Sequence, residues 1–209
     1  VHLNEDTTGR ITRATRKLYN EHADEYAVTT ATLDQFPGLD RDLDRFAVAL
    51  PAGPVLDLGC GVGRDTEYLG CRGLVVVAGD VSERMLELTR SRCAPAGVVQ
   101  LDLLDLPFPG AVFAGVWACA SVLHVPRGDH RRSFTEMHRV LRPGGRAAIS
   151  LQAGKFEGWK DGKRLACARW FSQRVPESVE AELRSVGFAS TTVHRSSRDT
   201  WFIATGHKG

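Results

Sequence analysis

The residues best suited to chemistry in this 209-residue chain are gathered around one glycine turn. Gly59, Gly61 and Gly63 follow Val55-Leu56-Asp57-Leu58, a short apolar run that carries an acid near its end. Glycines spaced this way let the backbone turn and pass close to a ligand, because no Cβ obstructs it. Asp57 can accept hydrogen bonds from a cationic amino-acid end. Asp80 closes a second apolar run, residues 74–79, where a carboxylate can take both hydroxyls of a ribose held at the first turn. Asp102 follows a third run and His124 a fourth. Histidine is the side chain whose ordinary pKa suits proton transfer near neutrality. These types and spacings describe a nucleoside cradle with a candidate base at its mouth. A dinucleotide fingerprint is G-x-G-x-x-G, whereas Arg64 stands here where the third glycine would fall.

Strands must carry these groups and helices must cover the strands. Apolar residues recur near a helical period at Ile11, Leu18, Tyr19, His22, Ala23 and Tyr26, predicting a helix over 10–27. A second helix fits 39–50, with Leu39, Leu43, Phe46, Ala47 and Leu50 on one face, and Pro51-Ala52-Gly53-Pro54 ends it. Beyond the glycine turn, a helix over 64–69 leads to the strand 74–79. Ser82 is then placed to cap a helix reaching Cys93. Strands at 98–101, 112–118 and 146–152 alternate with a helix over 129–141 and the turn Arg142-Pro143-Gly144-Gly145. Residues 153–175 do not read as regular structure. A helix over 176–186 and two strands, 190–195 and 200–206, flanking a turn at 196–199 complete the chain.

Bulk properties narrow the class. The formal net charge of +2 gives no reason to expect a nucleic-acid or membrane partner. No N-terminal apolar h-region and no run of about 18 apolar residues is present, so the expectation is a soluble, cytoplasmic protein. Five cysteines (Cys60, Cys71, Cys93, Cys119, Cys167), without a CxxC pair, argue against structural zinc and a disulfide framework, and no metal is expected.

Five ordered motifs carry a family resemblance. Asp57-Leu58-Gly59-Cys60-Gly61-Val62-Gly63 resembles motif I of class I S-adenosylmethionine (SAM)-dependent methyltransferases. Asp80-Val81-Ser82-Glu83-Arg84-Met85-Leu86 is similar to that family's D-x-S-x-x-M-L signature. Asp102-Leu103-Leu104-Asp105-Leu106-Pro107-Phe108 is similar to its G-D-x-x-x-L-P-F element, with Gln100-Leu101 replacing the usual preceding pair. The stretch from Ala118 to Pro126 resembles the A-S-x-L-H stretch of ubiquinone-biosynthesis-type and related small-molecule enzymes. Glu136-Met137-His138-Arg139-Val140-Leu141-Arg142-Pro143-Gly144-Gly145 matches E-x-x-R-V-L-K/R-P-G-G, a structural element. At the N-terminus, Tyr19 to Tyr26 resembles the Y-x-x-x-A-x-x-Y helix that folds over the cofactor in that group; the plainer reading is that both tyrosines pack on the sheet.

The resemblance implies an α/β, Rossmann-like fold: a seven-stranded, mostly parallel sheet with an antiparallel terminal hairpin and helices on both faces. It implies one domain over 1–209, with 1–50 as a helical lid and 51–209 as the core. The cofactor would be SAM, leaving S-adenosylhomocysteine (SAH) as product. Gly59, Gly61, Gly63 and Arg64 would form the turn at its methionine end, with Asp57 near the amino group. Asp80 would hold the ribose, and Val81, Met85, Asp102 and Leu103 the adenine. Cys119 and either Tyr19 or Tyr26 complete the expected set. On composition alone, Met85 is core.

Methyl transfer from a sulfonium needs alignment in a pocket that excludes water, and a hydroxyl acceptor gains most from a base. His124 is the candidate base, against a purely structural loop histidine. Lys155, Glu157 and Trp159 are candidates for the substrate pocket, against a solvated loop. Lys155, Lys160, Lys163, Arg164 and Arg169 make their segment basic, favouring an acidic or polar substrate. No N/D-P-P-Y/F element and no Pro-Cys nucleophile occurs, which leaves a small molecule or a peptide as partner and sets the oligomeric state aside. The reading is a methyltransferase acting on O or N of a small molecule in specialised metabolism. Its rivals are an NAD(P)-dependent oxidoreductase and a non-catalytic SAM-binding protein.

Overall fold

The computed structural model describes residues 5–162, 164–196, 198 and 200–209. His2, Lys163 and two residues of the expected 196–199 turn lie outside the described residues. Strand β1 (Val55–Leu58) is buried along its whole length, as a central parallel strand covered on both faces requires. Parallel to it run β2 (Val76–Asp80), β3 (Gly97–Gln100), β4 (Phe113–Cys119) and β5 (Leu141–Gln152). Two more strands, β8 (Ser190–Arg195) and β9 (Trp201–His207), join antiparallel, giving the order β3-β2-β1-β4-β5-β9-β8. The expected seven-stranded, mostly parallel sheet is present. Its strand order reverses between β1 and β4, the place where α/β sheets open a crevice at their carboxyl ends.

Helices cover both faces. On one lie α3 (Leu39–Val48) and α4 (Arg64–Cys71), where Leu39, Leu43, Phe46, Leu69 and Trp117 are buried together. On the other, α6 (His130–Val140) and α7 (Pro176–Ser185) bury Phe134, Met137, Val140, Val179 and Leu183 against Leu56, Val116 and Ile149. Strand alternation explains the division: Val55 faces α3 and α4, and Leu56 and Leu58 face α6. Glu136 and Arg139 of α6 clamp the loop after β3. Arg139 donates to the Phe108 and Leu106 carbonyls (2.6 and 2.9 Å), and Glu136 accepts the Leu106 N–H (2.8 Å).

Three elements differ from the sequence reading. The first helix is two, α1 (Glu5–Glu21) and α2 (Ala23–Thr30), because His22 leaves helical geometry (φ −116°, ψ 17°). The bend brings the Tyr19 and Tyr26 rings edge to face at 5.4 Å. Strand β5 begins at Leu141 rather than 146: Leu141 pairs with Phe113 and Arg146 with Gly115, so the turn 142–145 is a bulge within the strand. Residues 153–175 contain a hairpin, β6 (Glu157–Asp161) with β7 (Ala168–Ser172), which docks against α1 and the loop after β4 rather than joining the main sheet. Helix α5 (Glu83–Arg92) starts as expected, with the Ser82 hydroxyl accepting the Met85 N–H at 3.2 Å.

Polar bonds hold α1 and α2 across the carboxyl ends of the strands. Asn20 Oδ1 accepts from the Ser82 hydroxyl (2.7 Å) and the Arg84 N–H (3.2 Å), and Thr8 donates to Asp129 (2.6 Å). From the core side, Arg64 donates to the Thr30 carbonyl (3.3 Å) and lies 4.2 Å over the Phe36 ring. No helix among the described residues is long and apolar enough to cross a membrane.

Candidate active site

Beneath α1 and α2 a cleft opens over the ends of β1, β2, β3 and β4. Gly59 and Gly61 form its floor, and Asp80, Val81 and Met85 one wall. Asp102 and Leu103 close that end, and Cys119, Ala120, Ser121, His124 and Val125 the other. Thr12, Thr15, Tyr19 and Tyr26 form the roof.

The floor is shaped by sterics. A Cβ at Gly59 would fall 2.3 Å from the Ser121 Cβ, so the β1 turn and the end of β4 approach as closely as glycine allows. The Ser121 hydroxyl closes that contact by donating to the Leu58 carbonyl at 2.7 Å. Gly61 differs: a Cβ there, at φ +54°, would meet no atom within 4 Å, so the bare backbone faces open space. Next to Ser121, Ala120 adopts a left-handed φ of 57°, a strained state for a non-glycine residue at the cleft edge.

Asp80 is the buried anion of the cradle. Its two oxygens accept the Gly61 and Ser82 N–H groups, each at 2.9 Å, while burial pushes its pKa upward. A carboxylate has roughly four lone-pair sites. Two are left, which suits a vicinal diol. Val81, Met85 and Leu103 supply apolar surface beside it, as a flat heteroaromatic ring requires. These residues fit an adenosyl group on the acceptor capacity of Asp80 and the open backbone at Gly61.

At the other end a chain of hydrogen bonds fixes the protonation of His124. Its Nδ1 lies 2.7 Å from the Trp170 carbonyl, which can only accept, so Nδ1 carries the proton. In a neutral ring Nε2 is then an acceptor, and the Tyr19 hydroxyl donates to it at 2.9 Å. Arg169 Nη1 donates in turn to the Tyr19 oxygen at 2.9 Å. Burial, reinforced by Arg169, lowers the His124 pKa to about 3, so the ring is neutral. The Tyr19 pKa is raised, mainly by burial, so the hydroxyl keeps its proton. His124 is at the cleft, but its free nitrogen is already engaged: it reaches an acceptor only through Tyr19 or by giving Tyr19 up.

Several expected site residues lie elsewhere. Asp57 does not line the cleft. Its register turns the side chain toward α4, where it accepts the Thr66 hydroxyl at 2.6 Å, and burial beside Asp65 raises its pKa. Gly63 and Arg64 begin α4 behind the turn, and the Arg64 guanidinium is held by Asp65 at 2.7 Å. Lys155, Glu157 and Trp159 are also outside the walls. Glu157 accepts the Arg127 N–H at 2.6 Å, the Lys155 carbonyl accepts from the Arg127 side chain at 2.8 Å, and the exposed Trp159 packs edge-on against Trp170. The basic segment is dispersed, with Arg164 bonded to the Thr29 and Gln35 carbonyls and Lys160 over aromatic rings. Cys119 lines the cleft as a neutral thiol, its pKa pushed up to about 11 by burial.

Sequence reasoning missed Thr12 and Thr15, which share the helical face of Tyr19 at spacings of three and four, a polar strip on an otherwise apolar face. It also missed the inward side of β7. The buried-exposed alternation there sets Arg169 and Phe171 toward the site.

Comparison with known proteins agrees with this geometry. A methyltransferase-domain family model matches residues 56–149. The 27-O-demethylrifamycin SV methyltransferase of Amycolatopsis mediterranei is 36% identical over 140 residues, covering 62% of this chain and 50% of that protein. The chain thus spans about half the length of that curated relative. Among solved structures, the DhpI–SAH complex superposes with a TM-score of 0.78 at 21% identity, covering 95% of this chain and 97% of that one. The [4+2]-cyclase SpnF gives 0.74 at 18%, covering 94% and 96%. At those identities the structural likeness concerns the fold alone. The domain match over residues 56–149, the ordered motifs and the shared fold make this chain similar to class I SAM-dependent methyltransferases.

Proposed function

We propose that this chain is one catalytic domain, residues 1–50 forming a lid over 51–209, that methylates an oxygen or nitrogen atom of a small molecule in specialised metabolism. It would act in the cytoplasm, with SAM as methyl donor and SAH as product. The observation that carries this is the juxtaposition, in one cleft, of the Asp80–Gly61 cradle with the neutral Tyr19–His124 pair. The name of the rifamycin relative supports a small-molecule oxygen acceptor.

SAM supplies an electrophilic methyl group on a sulfonium. Asp80, Gly59 and Gly61 would hold its ribose and methionine side, and Val81, Met85, Asp102 and Leu103 its adenine. Tyr19 and Tyr26 roof the cleft and exclude water, so that alignment rather than covalent catalysis supplies the rate. The neutral His124 imidazole accepts a hydrogen bond from the Tyr19 hydroxyl and orients that group at the end of the cleft away from Asp80. Arg64 at the third-glycine position and the methyltransferase-domain match count against the dinucleotide reading. Incubating the protein with isotopically labelled SAM and a panel of hydroxylated and aminated small molecules tests the proposal. Transfer of label to any member, with SAH formed in equal amount, supports it; SAM binding without transfer across the panel favours the non-catalytic rival.

A further inference from the structure

Tyr19 faces from α1 into the cleft, while its neighbour Asn20 faces the start of α5. The first N–H groups of a helix have no partner within it. In α5 the Ser82 hydroxyl takes the Met85 N–H, and Asn20 Oδ1, from 64 positions away, takes the Arg84 N–H at 3.2 Å. The same oxygen accepts the Ser82 hydroxyl at 2.7 Å, so both of its lone pairs are used. A backbone N–H can only donate, which fixes the amide with its oxygen toward α5. Ser82 is fully buried, and its own N–H holds Asp80. Asn20 thus completes the N-terminus of the helix behind the Asp80–Met85 wall. A second link between the two helices, the Arg16–Glu83 ion pair, is 46% and 59% exposed, and a pair so open to water contributes little.

We infer that Asn20 is a latch, a positioning residue that sets how often α1 lifts and so how fast an adenosyl ligand passes in and out. This rests on the proposed reading, in which residues 1–50 roof a SAM site. A ligand held at Asp80 and Gly61 lies under Thr12, Thr15 and Tyr19, and lifting of α1 opens its way out. Lifting separates Asn20 from α5 and breaks both bonds. Asn20, Ser82 and Arg84 all lie outside the cleft lining, so these bonds break alike with the cleft filled or empty. The latch therefore slows entry and release by one factor and leaves affinity nearly unchanged. A neutral hydrogen bond is worth a factor of about five in an equilibrium, so two of them give roughly 10- to 25-fold once water replaces part of the loss. Opening steps of this kind, rather than chemistry, limit turnover in many enzymes that close over their ligands. Tyr19 also holds α1, but it lines the cleft, so its loss would alter ligand contacts as well.

The test uses radiolabelled SAH and the whole chain, with association and release rates measured separately. Asn20→Ala should speed both by roughly 10- to 25-fold, with the dissociation constant moving by less than about threefold. Asn20→Asp keeps the accepting oxygens and adds a negative charge at a helix N-terminus, so its rates should return to the wild-type values or below. Arg16→Ala should leave both rates within about twofold of the wild type. Unchanged rates in Asn20→Ala, or faster release with affinity lost in proportion, overturns the inference. So does Asn20→Asp as fast as Asn20→Ala, or an equal acceleration in Arg16→Ala. Hydrogen exchange read by NMR needs no variant: the Arg84 amide, whose N–H Asn20 accepts, should be protected in the wild-type protein. Exchange there as fast as in an unstructured peptide also overturns the latch. Failure of SAH to bind the wild-type protein is a separate result that removes the methyltransferase reading and this inference with it.

Discussion

Replacing Tyr19 with Phe removes one oxygen and leaves the ring packing intact. That oxygen takes a bond from Arg169 and gives one to His124, both at 2.9 Å, across three segments distant in sequence. A neutral hydrogen bond contributes about 1 kcal/mol net and one to a charged group about 1.5–3 kcal/mol. The deletion also leaves His124 Nε2 and Arg169 Nη1 without that partner in a buried setting. The adjoining cleft lets water replace part of what is lost at His124, so a total near 3 kcal/mol is the reasoned figure. For a chain of this length that lowers the melting temperature by roughly 6–12 °C. Differential scanning calorimetry measures the shift, and hydrogen exchange locates it. Exchange should accelerate in α1, which Tyr19 pins to the core, and not in β4 or β5. An unchanged melting temperature together with unchanged exchange in α1 would refute the reasoning, because the network would then carry no load.

Other substitutions probe separate parts of the account. Asp80→Asn keeps one acceptor but turns an amide NH2 toward a backbone N–H, and should weaken SAM binding by roughly 10- to 150-fold in calorimetry. Gly61→Val places a β-branched residue at φ +54° with its side chain in the cleft, and should abolish SAM binding while the sheet remains folded by circular dichroism. Asp57 titrates higher when folded than unfolded, so its contribution is full in acid and is lost as pH rises from about 4 toward its folded value. Asp57→Asn mimics the protonated acid, so its melting temperature should gain on the wild type as pH rises. His124 and His130 behave in the opposite sense. Burial holds both at about 3 when folded, so stability should fall as pH drops below about 6.5, by up to roughly 1.4 kcal/mol per pH unit for each. In urea unfolding series, His130→Gln should show a shallower acid slope than the wild type.

Much of the architecture could be read from local patterns. The apolar runs ending at Leu58, Asp80 and Cys119 became strands, since short unbroken runs of this kind need burial on both faces. Ser82, Pro176 and Gly187 marked helix ends by chemistry that acts within a few residues. Contacts between distant segments were not legible. Nothing in the sequence around Asp57 tells which way its side chain turns, because strand register decides it. Arg64 looked like part of a ligand turn, yet the Thr30 carbonyl and the Phe36 ring hold it. The hairpin at 157–172 has no β-branched residue and a long connection, 162–167, between its strands, so Arg169 appeared only as one of several basic residues. Its pairing with Tyr19 spans 150 positions and exists only where α1 and the hairpin pack together.

The most direct test of the central claim is isothermal titration of the protein with SAM, SAH and NADH in parallel. The account predicts saturable binding of both adenosyl ligands and none of NADH. Binding of NADH, or failure of both adenosyl ligands to bind a folded protein, would contradict it.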